Sequence, residues 1–395
     1  MTETHWIVDI LLVILLVSYL VYGYRVGILR TLFGIAGLVL GGIAAYFVVP
    51  LAATAVPPEW RVLTVIVVAL LLLSLGFTVG ATIGRVLRRG VQIVKLGFVD
   101  RLLGAVANVA VAALMLGLIA SQVSALGVPA LTQMTASSAV IKAIDGLTPD
   151  PVKTWLAQVR TAAVDDALPW ITEALGVPSE TPDVPDVATD SASLAASADS
   201  VVRISGTAAE CGLGLTGSGF VVSDDRVVTN AHVLAGVTDP VIEAPNELPR
   251  PGRVVYFDPV DDLAVIAVDD LDARPIPLGQ NLAAGADAVV DGYPHGGPFT
   301  TGPAGVLSVS SLRVPDIRNE SSSDRSVYTL AANVQPGNSG GPLLATDGTV
   351  VGVVFARATT VQNVGYAMTL AELSPVAAQA ASLDAPVSSG GCIRE

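Results

Sequence analysis

One serine of this sequence lies in a turn rich in glycine. Ser339 is part of the stretch Gln335-Pro336-Gly337-Asn338-Ser339-Gly340-Gly341-Pro342. A serine hydroxyl becomes an effective nucleophile when a neighbouring base accepts its proton. The backbone N–H groups of Gly337 and Ser339 could together bind the oxyanion that forms after such an attack. The stretch therefore predicts a nucleophile with an oxyanion hole at Gly337, Asn338 and Ser339, although an ordinary turn between strands uses the same residue types.

A base and a carboxylate for Ser339 must come from elsewhere in the chain. His232 lies in Thr229-Asn230-Ala231-His232-Val233, where a strand is expected to end and a helical turn to begin. Asp262 opens the apolar run Asp262-Leu263-Ala264-Val265-Ile266, 30 residues after His232. His295 lies in a loop rich in glycine and proline. His232 and Asp262 are the predicted partners of Ser339, although a buried histidine or a strand-end aspartate often has no catalytic role.

The order of these residues along the chain distinguishes between fold families. Gly337-x-Ser339-x-Gly341 also fits the nucleophile elbow of α/β-hydrolases, but the histidine of that family follows its serine. No histidine follows Ser339 in this sequence. An Asp, His, Ser order could be formed by Asp262, His295 and Ser339, but that order belongs to an α/β domain. The strand pattern of this region argues against such a domain.

Short apolar runs separated by turn residues fill the last part of the chain, from residues 201–205 to residues 364–368. Many short strands at close spacing predict a sandwich or barrels rather than a parallel sheet with crossover helices. We therefore expect residues 198–395 to form an all-β domain of two small antiparallel barrels.

Three sequence blocks in the order histidine, aspartate, serine resemble those of the chymotrypsin-like proteases, in the trypsin and HtrA branch. The serine block is Gly337-Asn338-Ser339-Gly340-Gly341-Pro342, and Gly217-Ser218-Gly219-Phe220-Val221-Val222 resembles the strand before the histidine block. The resemblance implies a serine endopeptidase with a double β-barrel. In it Ser339 would attack the carbonyl, His232 would act as base and then as acid, and Asp262 would orient His232.

The same resemblance implies where the specificity pocket lies. Its walls would be three short stretches: Asn333 and Val334; Val353, Val354, Phe355 and Ala356; and Gly365, Tyr366 and Ala367. Asn333 would occupy the floor of the pocket. Because Asn333 is uncharged, we expect an apolar or uncharged residue before the cut and no strict requirement for Lys or Arg.

Four uncharged apolar runs occupy the first part of the chain, at residues 10–24, 31–58, 62–84 and from 102 past 120. A membrane span needs about 20 apolar residues, so residues 1–126 are predicted to form an all-α domain of four transmembrane helices. These runs resemble the four-helix colicin V production protein family, notably in Asp100-Arg101-Leu102-Leu103-Gly104-Ala105.

Basic residues indicate how these spans cross the membrane, because they collect on the cytoplasmic side. The first and third connections carry most of them: Arg25, Arg30, Arg85, Arg88, Arg89, Lys95 and Arg101. The second connection has only Arg61 at its edge. We therefore expect a multi-pass protein of the inner membrane, with both termini and the barrel domain on the outer, periplasmic side.

Residues 127–197 connect the two predicted domains and change in composition. Residues 152–175 have helical spacing interrupted by Pro169, and a stretch rich in proline, serine and alanine follows. Such a segment is typical of an exposed linker. Exposed linkers are also where proteases cut, so we hypothesise that the protein cleaves itself here.

Charge and cysteine content restrict the partners. A formal net charge of −14 and a pI near 4.5 argue against nucleic acid as a binding partner. Histidines and cysteines show no metal-ligand spacing, so no metal or other cofactor is expected. Cys211 and Cys392 would meet an oxidising compartment outside the membrane, where a disulfide bond between them is favoured. Two free thiols or a redox switch are the alternatives.

The whole arrangement resembles an actinobacterial family of membrane-anchored serine proteases. This resemblance implies envelope proteins as substrates, among them cell-wall hydrolases, and a role in resistance to acid and envelope stress. Two other classes of function remain open. The barrels could be a catalytically silent binding or sensor module, or the membrane helices could carry the function as a transport component. Few charged residues interrupt the spans, which argues against transport.

Overall fold

The computed structural model describes residues 5–54, 56–93, 97–125, 129–161, 180–208 and 213–393. Its contacts divide the chain into two compact units, Met1–Gly117 and Leu118–Glu395. The division falls inside the fourth helix, so the expected domain limits at residues 126 and 197 stay predictions.

The first unit is built from long apolar helices, as expected. They are α1 (His5–Val26), α2 (Ile28–Thr54), α3 (Pro58–Ile93) and α4 (Gly97–Ala125). Each contains a stretch long and apolar enough to cross a membrane: Trp6–Val26, Ile28–Val49, Leu63–Leu87 and Gly97–Ala120. The predicted all-α domain with four apolar helices is therefore confirmed.

Glycines bring α2 and α3 into close contact. A Cβ atom added at Gly37 would collide with the carbonyl oxygen of Gly76, and one at Gly76 would collide with that of Gly37. Gly80 faces the backbone of Phe33 in the same way. Small residues at this spacing allow helix backbones to approach closely and pack through van der Waals contacts. Such packing matters in a membrane because the hydrophobic effect does not drive helices together in lipid.

Short helices lead from the first unit to the barrels: α5 (Pro129–Ser137), α6 (Ala139–Leu147), α7 (Asp150–Thr161) and α8 (Ala192–Ala198). The predicted helix at residues 152–175 coincides with α7 up to Thr161, and residues 162–179 lie outside the described residues. Ser138 and Ser191 cap α6 and α8 through their side-chain oxygens. The stretch before α8 lies against the second barrel, because Pro182 O accepts a hydrogen bond from Asn363 Nδ2 at 3.4 Å.

Six antiparallel strands form the first barrel, closed in the order β1-β2-β3-β6-β5-β4. They are β1 (Val201–Ala208), β2 (Leu213–Ser223), β3 (Arg226–Thr229), β4 (Val241–Glu243), β5 (Arg250–Asp258) and β6 (Leu263–Val268). A single helical turn, α9 (Ala231–Leu234), follows β3.

The second barrel also has six antiparallel strands, closed in the order β10-β11-β12-β9-β8-β7. They are β7 (Asp287–Gly292), β8 (Thr300–Pro315), β9 (Ser322–Ala332), β10 (Pro342–Ala345), β11 (Val350–Arg357) and β12 (Val364–Thr369), followed by α10 (Leu370–Ala380). The predicted all-β double barrel of the chymotrypsin type is confirmed.

Several strands, β6 and β12 among them, are buried on both faces. In β1, Val202 packs inside the first barrel, whereas its neighbour Val201 joins a core shared with residues of the second barrel such as Val327 and Val353. Because alternate side chains point to opposite faces of a strand, this arrangement explains why β6 is a continuous apolar run. The shared core holds the two barrels together, and the loops at its edge carry His232, Asp262 and Ser339.

Candidate active site

Asp262 and His232 form a close pair. The Asp262 Oδ2 atom lies 2.8 Å from His232 Nδ1, and Oδ1 accepts a hydrogen bond of 2.9 Å from the His232 backbone N–H. The Asp262 side chain is 1% exposed and that of His232 is 11% exposed. An aspartate bound to Nδ1 directs the imidazole hydrogen to that nitrogen and leaves Nε2 as the atom that can accept a proton.

The turn that carries Asp262 is held from several directions. Asp262 has a left-handed φ of 55°, and its carbonyl accepts a hydrogen bond of 2.9 Å from Asn230 Nδ2. Asp258 Oδ1 accepts from the backbone N–H groups of Val260 and Asp261. In the described structure the neighbouring carboxylates of Asp258 and Asp261 make no hydrogen bond to His232.

A buried arginine of the second barrel braces this turn. Arg325, on β9, is 1% exposed, and its Nη2 donates to the carbonyl of Val260 at 2.5 Å and of Pro315 at 2.8 Å. The carboxylate of Asp261 lies 4.0 Å from Arg325 Nε. The position of Asp262 therefore depends on a side chain from the other barrel.

Ser339 lies between two glycines with positive φ in the loop between β9 and β10. Its Oγ is 3.5 Å from the carbonyl oxygen of Phe355 and makes no hydrogen bond to His232 in the described structure. A Cβ atom at Gly337, where φ is 94°, would come within 2.5 Å of Tyr293 O and 2.8 Å of His295 N. Only glycine fits this position.

Two backbone N–H groups of this loop are available to an oxyanion. Within the described residues, neither Gly337 N–H nor Ser339 N–H donates a hydrogen bond. The carbonyls of their peptide groups are held, since Pro336 O accepts from His295 N at 2.5 Å and Asn338 O from Gly341 N at 2.9 Å. A trans peptide directs its C=O and N–H to opposite sides.

Asn338 was expected to contribute to the oxyanion hole, but its backbone N–H and its side-chain oxygen form hydrogen bonds inside the turn. Its backbone N–H donates to Gln335 O at 3.0 Å, and its side-chain Oδ1 accepts from Gln335 N at 2.9 Å. Asn338 therefore shapes the loop, and the available donors belong to Gly337 and Ser339.

The residues expected to wall the specificity pocket are mostly buried. Val353, Val354, Phe355 and Tyr366 have at most 1% of their surface exposed. Their side chains pack into the barrel cores, so these residues can face a substrate only through their backbone. Ala356 and Gly365 lie at the open end of the β11–β12 ladder, opposite Tyr366 and Arg357.

Asn333 does not lie where a pocket floor is expected. It is exposed, and its Oδ1 accepts a hydrogen bond from Gln335 Nε2. Val334 is 7% exposed and lies so close to Gly365 that a Cβ atom there would collide with it. The residue that is buried beside Gly365 is therefore Val334, and the chain turns Asn333 outward after β9.

Asp291, at the end of β7, was not singled out from the sequence. It is fully buried, and neither carboxylate oxygen has a hydrogen-bond partner in the described structure. Burial raises the pKa of Asp291 to about 7, and the Thr301 hydroxyl opposite it offsets this only in part. An aspartate within the apolar run of residues 286–291 was the signal available in the sequence.

The predicted cysteine pair is only partly described. Cys211 belongs to residues 209–212, which lie outside the described residues, so its bond to Cys392 stays a prediction. Cys392 Sγ lies 3.5 Å from the place of a Cβ at Gly236, in the turn after α9. No free cysteine occurs in the part of the chain that the structure describes. No cluster of three or more metal-ligating side chains was found among those residues either.

Two family models match this chain. Residues 217–353 match the trypsin-like peptidase domain, and residues 8–149 match the colicin V production protein. The first match includes His232, Asp262 and Ser339, and the second includes α1 from residue 8 onward and the whole of α2, α3 and α4.

Known proteins match over different lengths. The serine protease Rv3671c of Mycobacterium tuberculosis is 32% identical over 404 residues, covering 100% of both chains. The putative serine protease HhoB of Synechocystis is 36% identical over 169 residues, covering 41% of this chain and 39% of that protein. The crystal structure of the active form of the Rv3671c protease superimposes with a TM-score of 0.51 and 38% identity, covering 56% of this chain and 99% of that one. The chain therefore belongs to the family of the serine protease Rv3671c and is a serine protease with apolar, membrane-type helices before its peptidase domain.

Proposed function

We propose that this protein is a membrane-anchored endopeptidase that hydrolyses peptide bonds through His232, Asp262 and Ser339. The observation that carries the proposal is the His232–Asp262 pair, with 2.8 Å between Nδ1 and Oδ2, in the same domain as a serine loop with two unused N–H donors. These are the groups that acyl transfer requires: a base, an orienting carboxylate, a nucleophile and an oxyanion site.

The reaction proceeds in two stages. The Ser339 hydroxyl leaves the Phe355 carbonyl and turns to His232 Nε2, which removes its proton as the oxygen attacks the substrate carbonyl. Gly337 N–H and Ser339 N–H bind the negative oxygen of the tetrahedral intermediate. His232 then gives the proton to the leaving amine, and an acyl-enzyme remains. Water repeats the sequence with His232 as base, releasing the new carboxylate and the free serine.

Hydrolysis of a peptide library by the purified full-length protein tests this proposal. Ser339→Ala and His232→Ala should each abolish cleavage, whereas Ser310→Ala, on strand β8, should leave it unchanged. Cleavage that survives Ser339→Ala would contradict the proposed nucleophile.

The proposed location is the outer side of the cell membrane. The support is the excess of basic residues near the junctions of α1 with α2 and of α3 with α4. Alkaline phosphatase, which is active only outside the cytoplasm, should be active when fused after residue 197 and inactive when fused after Arg89. The reverse pattern would contradict this orientation.

The proposed substrates are proteins of the cell envelope, among them cell-wall hydrolases, and the chain's own linker. Acidic and envelope stress would be the conditions in which this cleavage matters. Immunoblots should show a shorter outer fragment for the wild-type protein and only the full-length chain for Ser339→Ala. Equal sizes for both would exclude self-cleavage. Peptides lost from Ser339→Ala envelopes in mass spectrometry would identify the other substrates.

Cys211 and Cys392 are proposed to form a disulfide bond that ties the C-terminal tail to the first barrel. The position of Cys392 beside Gly236 of that barrel supports this pairing.

A catalytically silent fold is the second candidate. The 3.5 Å contact of Ser339 Oγ with Phe355 O, rather than with His232, favours it. Reaction of Ser339 with a fluorophosphonate separates the two candidates, because a silent domain would not react.

A further inference from the structure

Ser218 of the first barrel contacts the nucleophile loop of the second barrel through two groups. It lies on β2 and is fully buried. Its backbone N–H donates to Ser339 O at 2.8 Å, and its hydroxyl donates to Gly337 O at 2.7 Å. One residue thus binds the carbonyl of the proposed nucleophile and that of a proposed oxyanion donor.

The direction of the Ser218 hydroxyl hydrogen is determined by its surroundings. The backbone N–H of Tyr293 lies 2.9 Å from Ser218 Oγ and can only donate to it. The hydroxyl must therefore use its own hydrogen for Gly337 O. This removes the rotational freedom that a serine hydroxyl usually has.

Three successive peptide groups of the loop are each held through their carbonyl oxygen. Pro336 O accepts from the backbone N–H of His295, and Asn338 O accepts from that of Gly341. The peptide between them, which contains Gly337 O, is held by the hydroxyl of Ser218. Ser218 is the one side chain among these three donors.

Gly337 makes this contact important. Glycine tolerates both signs of φ at little cost, so covalent geometry does not hold the peptide after Gly337 in one orientation. That peptide links the two peptides that carry the Gly337 and Ser339 N–H groups, so a change in the torsion angles at its ends, ψ of Gly337 and φ of Asn338, changes the direction of one N–H relative to the other. A hydrogen bond to Gly337 O opposes such rotation.

The space around the hydroxyl fits a serine closely. A Cβ atom at Gly292 would lie 2.8 Å from Ser218 Oγ, and one at Gly341 would lie 3.3 Å from Ser218 Cβ. The Ser218 carbonyl is bonded as well, because Thr229 Oγ1 donates to it at 2.7 Å. The side chain therefore has a single place in the structure.

We propose that Ser218 is a positioning residue for the oxyanion hole: it holds the peptide between Gly337 and Asn338 so that the N–H groups on either side, those of Gly337 and Ser339, bind one oxygen together. The inference rests on the proposed function. It acts on the transition state and not on substrate binding, because the hole is filled only when the carbonyl oxygen becomes negative.

The test compares full-length wild-type protein with Ser218→Ala. Removing one direct oxyanion donor costs about 10²–10³ in kcat, and loss of an indirect support should cost about 10–100-fold. KM should stay within about twofold, and the Ki of a peptide boronic acid, which places an oxygen in the hole, should rise as kcat falls.

Two further variants keep the test decisive. Ser197 is another buried serine, and its hydroxyl donates a hydrogen bond of 2.7 Å to the backbone carbonyl of Gly348. Ser197→Ala should leave kcat unchanged, with a thermal stability similar to that of Ser218→Ala. Ser218→Cys keeps a weak donor and should have an intermediate kcat. If Ser218→Ala does not fold, the kcat, KM and boronate Ki of Ser218→Cys are compared with those of wild type and Ser197→Ala instead.

The outcomes distinguish this inference from the function on which it rests. Suppose that wild-type cleavage depends on Ser339, and that Ser218→Ala and Ser197→Ala have the same kcat and the same boronate affinity. This result overturns only the role of Ser218. A fall in kcat without weaker boronate binding overturns it as well. Wild-type cleavage that does not depend on Ser339 overturns the proposed function itself.

Discussion

Asp262 binds His232 through two different groups of the histidine. Oδ1 accepts the backbone N–H at 2.9 Å, and Oδ2 lies 2.8 Å from ring Nδ1. The first contact holds the helical turn α9 against the β5–β6 turn, and the second orients the imidazole ring. The two contacts can be separated by mutation.

Asp262→Asn should keep the fold and lose most of the activity. An asparagine oxygen can still accept the backbone N–H, but its amide group would face Nδ1 and favour the wrong tautomer of His232. We expect kcat to fall about 10⁴-fold, with a thermal midpoint close to that of wild type. Asp261→Asn is the matched control, because its carboxylate is exposed and does not contact His232. An equal loss in both variants would contradict the assignment.

Val334 is expected to limit the size of the residue before the cut. Its buried side chain lies against Gly365, which the family resemblance places in the wall of the specificity pocket. In Val334→Ala the ratio of kcat/KM for leucine over alanine at that position should rise about tenfold, since a methylene in an apolar pocket is worth about 1–3 kcal/mol. Val309→Ala, at an exposed position of β8, should not change the ratio. An unchanged ratio in Val334→Ala would place the pocket elsewhere.

Reduction should destabilise the protein if Cys211 and Cys392 are bonded. The bond would close a loop of about 180 residues, worth about 5 kcal/mol in the chain-entropy model. The midpoint of denaturant unfolding should therefore fall when dithiothreitol is added to wild type. Cys392→Ser should unfold at the lower midpoint with or without reductant. A wild-type midpoint and activity that do not respond to reductant would exclude both the bond and a redox switch.

Asp291 should make the protein more stable in mild acid. Burial raises its folded pKa to about 7 from an ordinary value of 3.8. Because the folded protein binds this proton more tightly than the unfolded chain does, the protonated carboxyl adds stability to the fold. This stability is complete below the ordinary pKa of 3.8 and is lost as the pH rises through about 7. A shift of about three units corresponds to about 4 kcal/mol.

The measurement is the free energy of unfolding between pH 4 and pH 8. Wild type should lose stability relative to Asp291→Asn as the pH rises, because an asparagine does not ionise. Asp287→Asn, on the exposed end of the same strand, should follow the wild-type curve. Parallel curves for wild type and Asp291→Asn would show that Asp291 does not titrate in this range.

The architecture was predictable because it rests on local patterns. Apolar runs of membrane length predicted α1 to α4, and valine-rich runs separated by turns predicted most barrel strands. The strand β4 has three residues and is too short to show alternation in the sequence. β8 begins at Thr300 although Gly302 and Pro303 are poor strand formers, since its first residues are held by pairing with β7 rather than by their own propensity.

The contacts that position the site were not predictable. Ser218 bonds to Gly337 across 119 residues, and Arg325 to Val260 across 65. A side chain bonded to a distant backbone carbonyl leaves no periodic signal in the sequence. The outward position of Asn333 was missed for a similar reason, because the direction of a side chain after β9 depends on how the following loop turns.

Labelling with a fluorophosphonate tests the central claim most directly, because the reagent reacts with a serine only where a base and an oxyanion site activate it. Wild-type protein should be labelled at Ser339, as read by mass spectrometry of the labelled peptide. Ser339→Ala should give no label, and His232→Ala and Asp262→Asn should react far more slowly. Wild-type protein that stays unlabelled, or a label at another residue, would contradict the account.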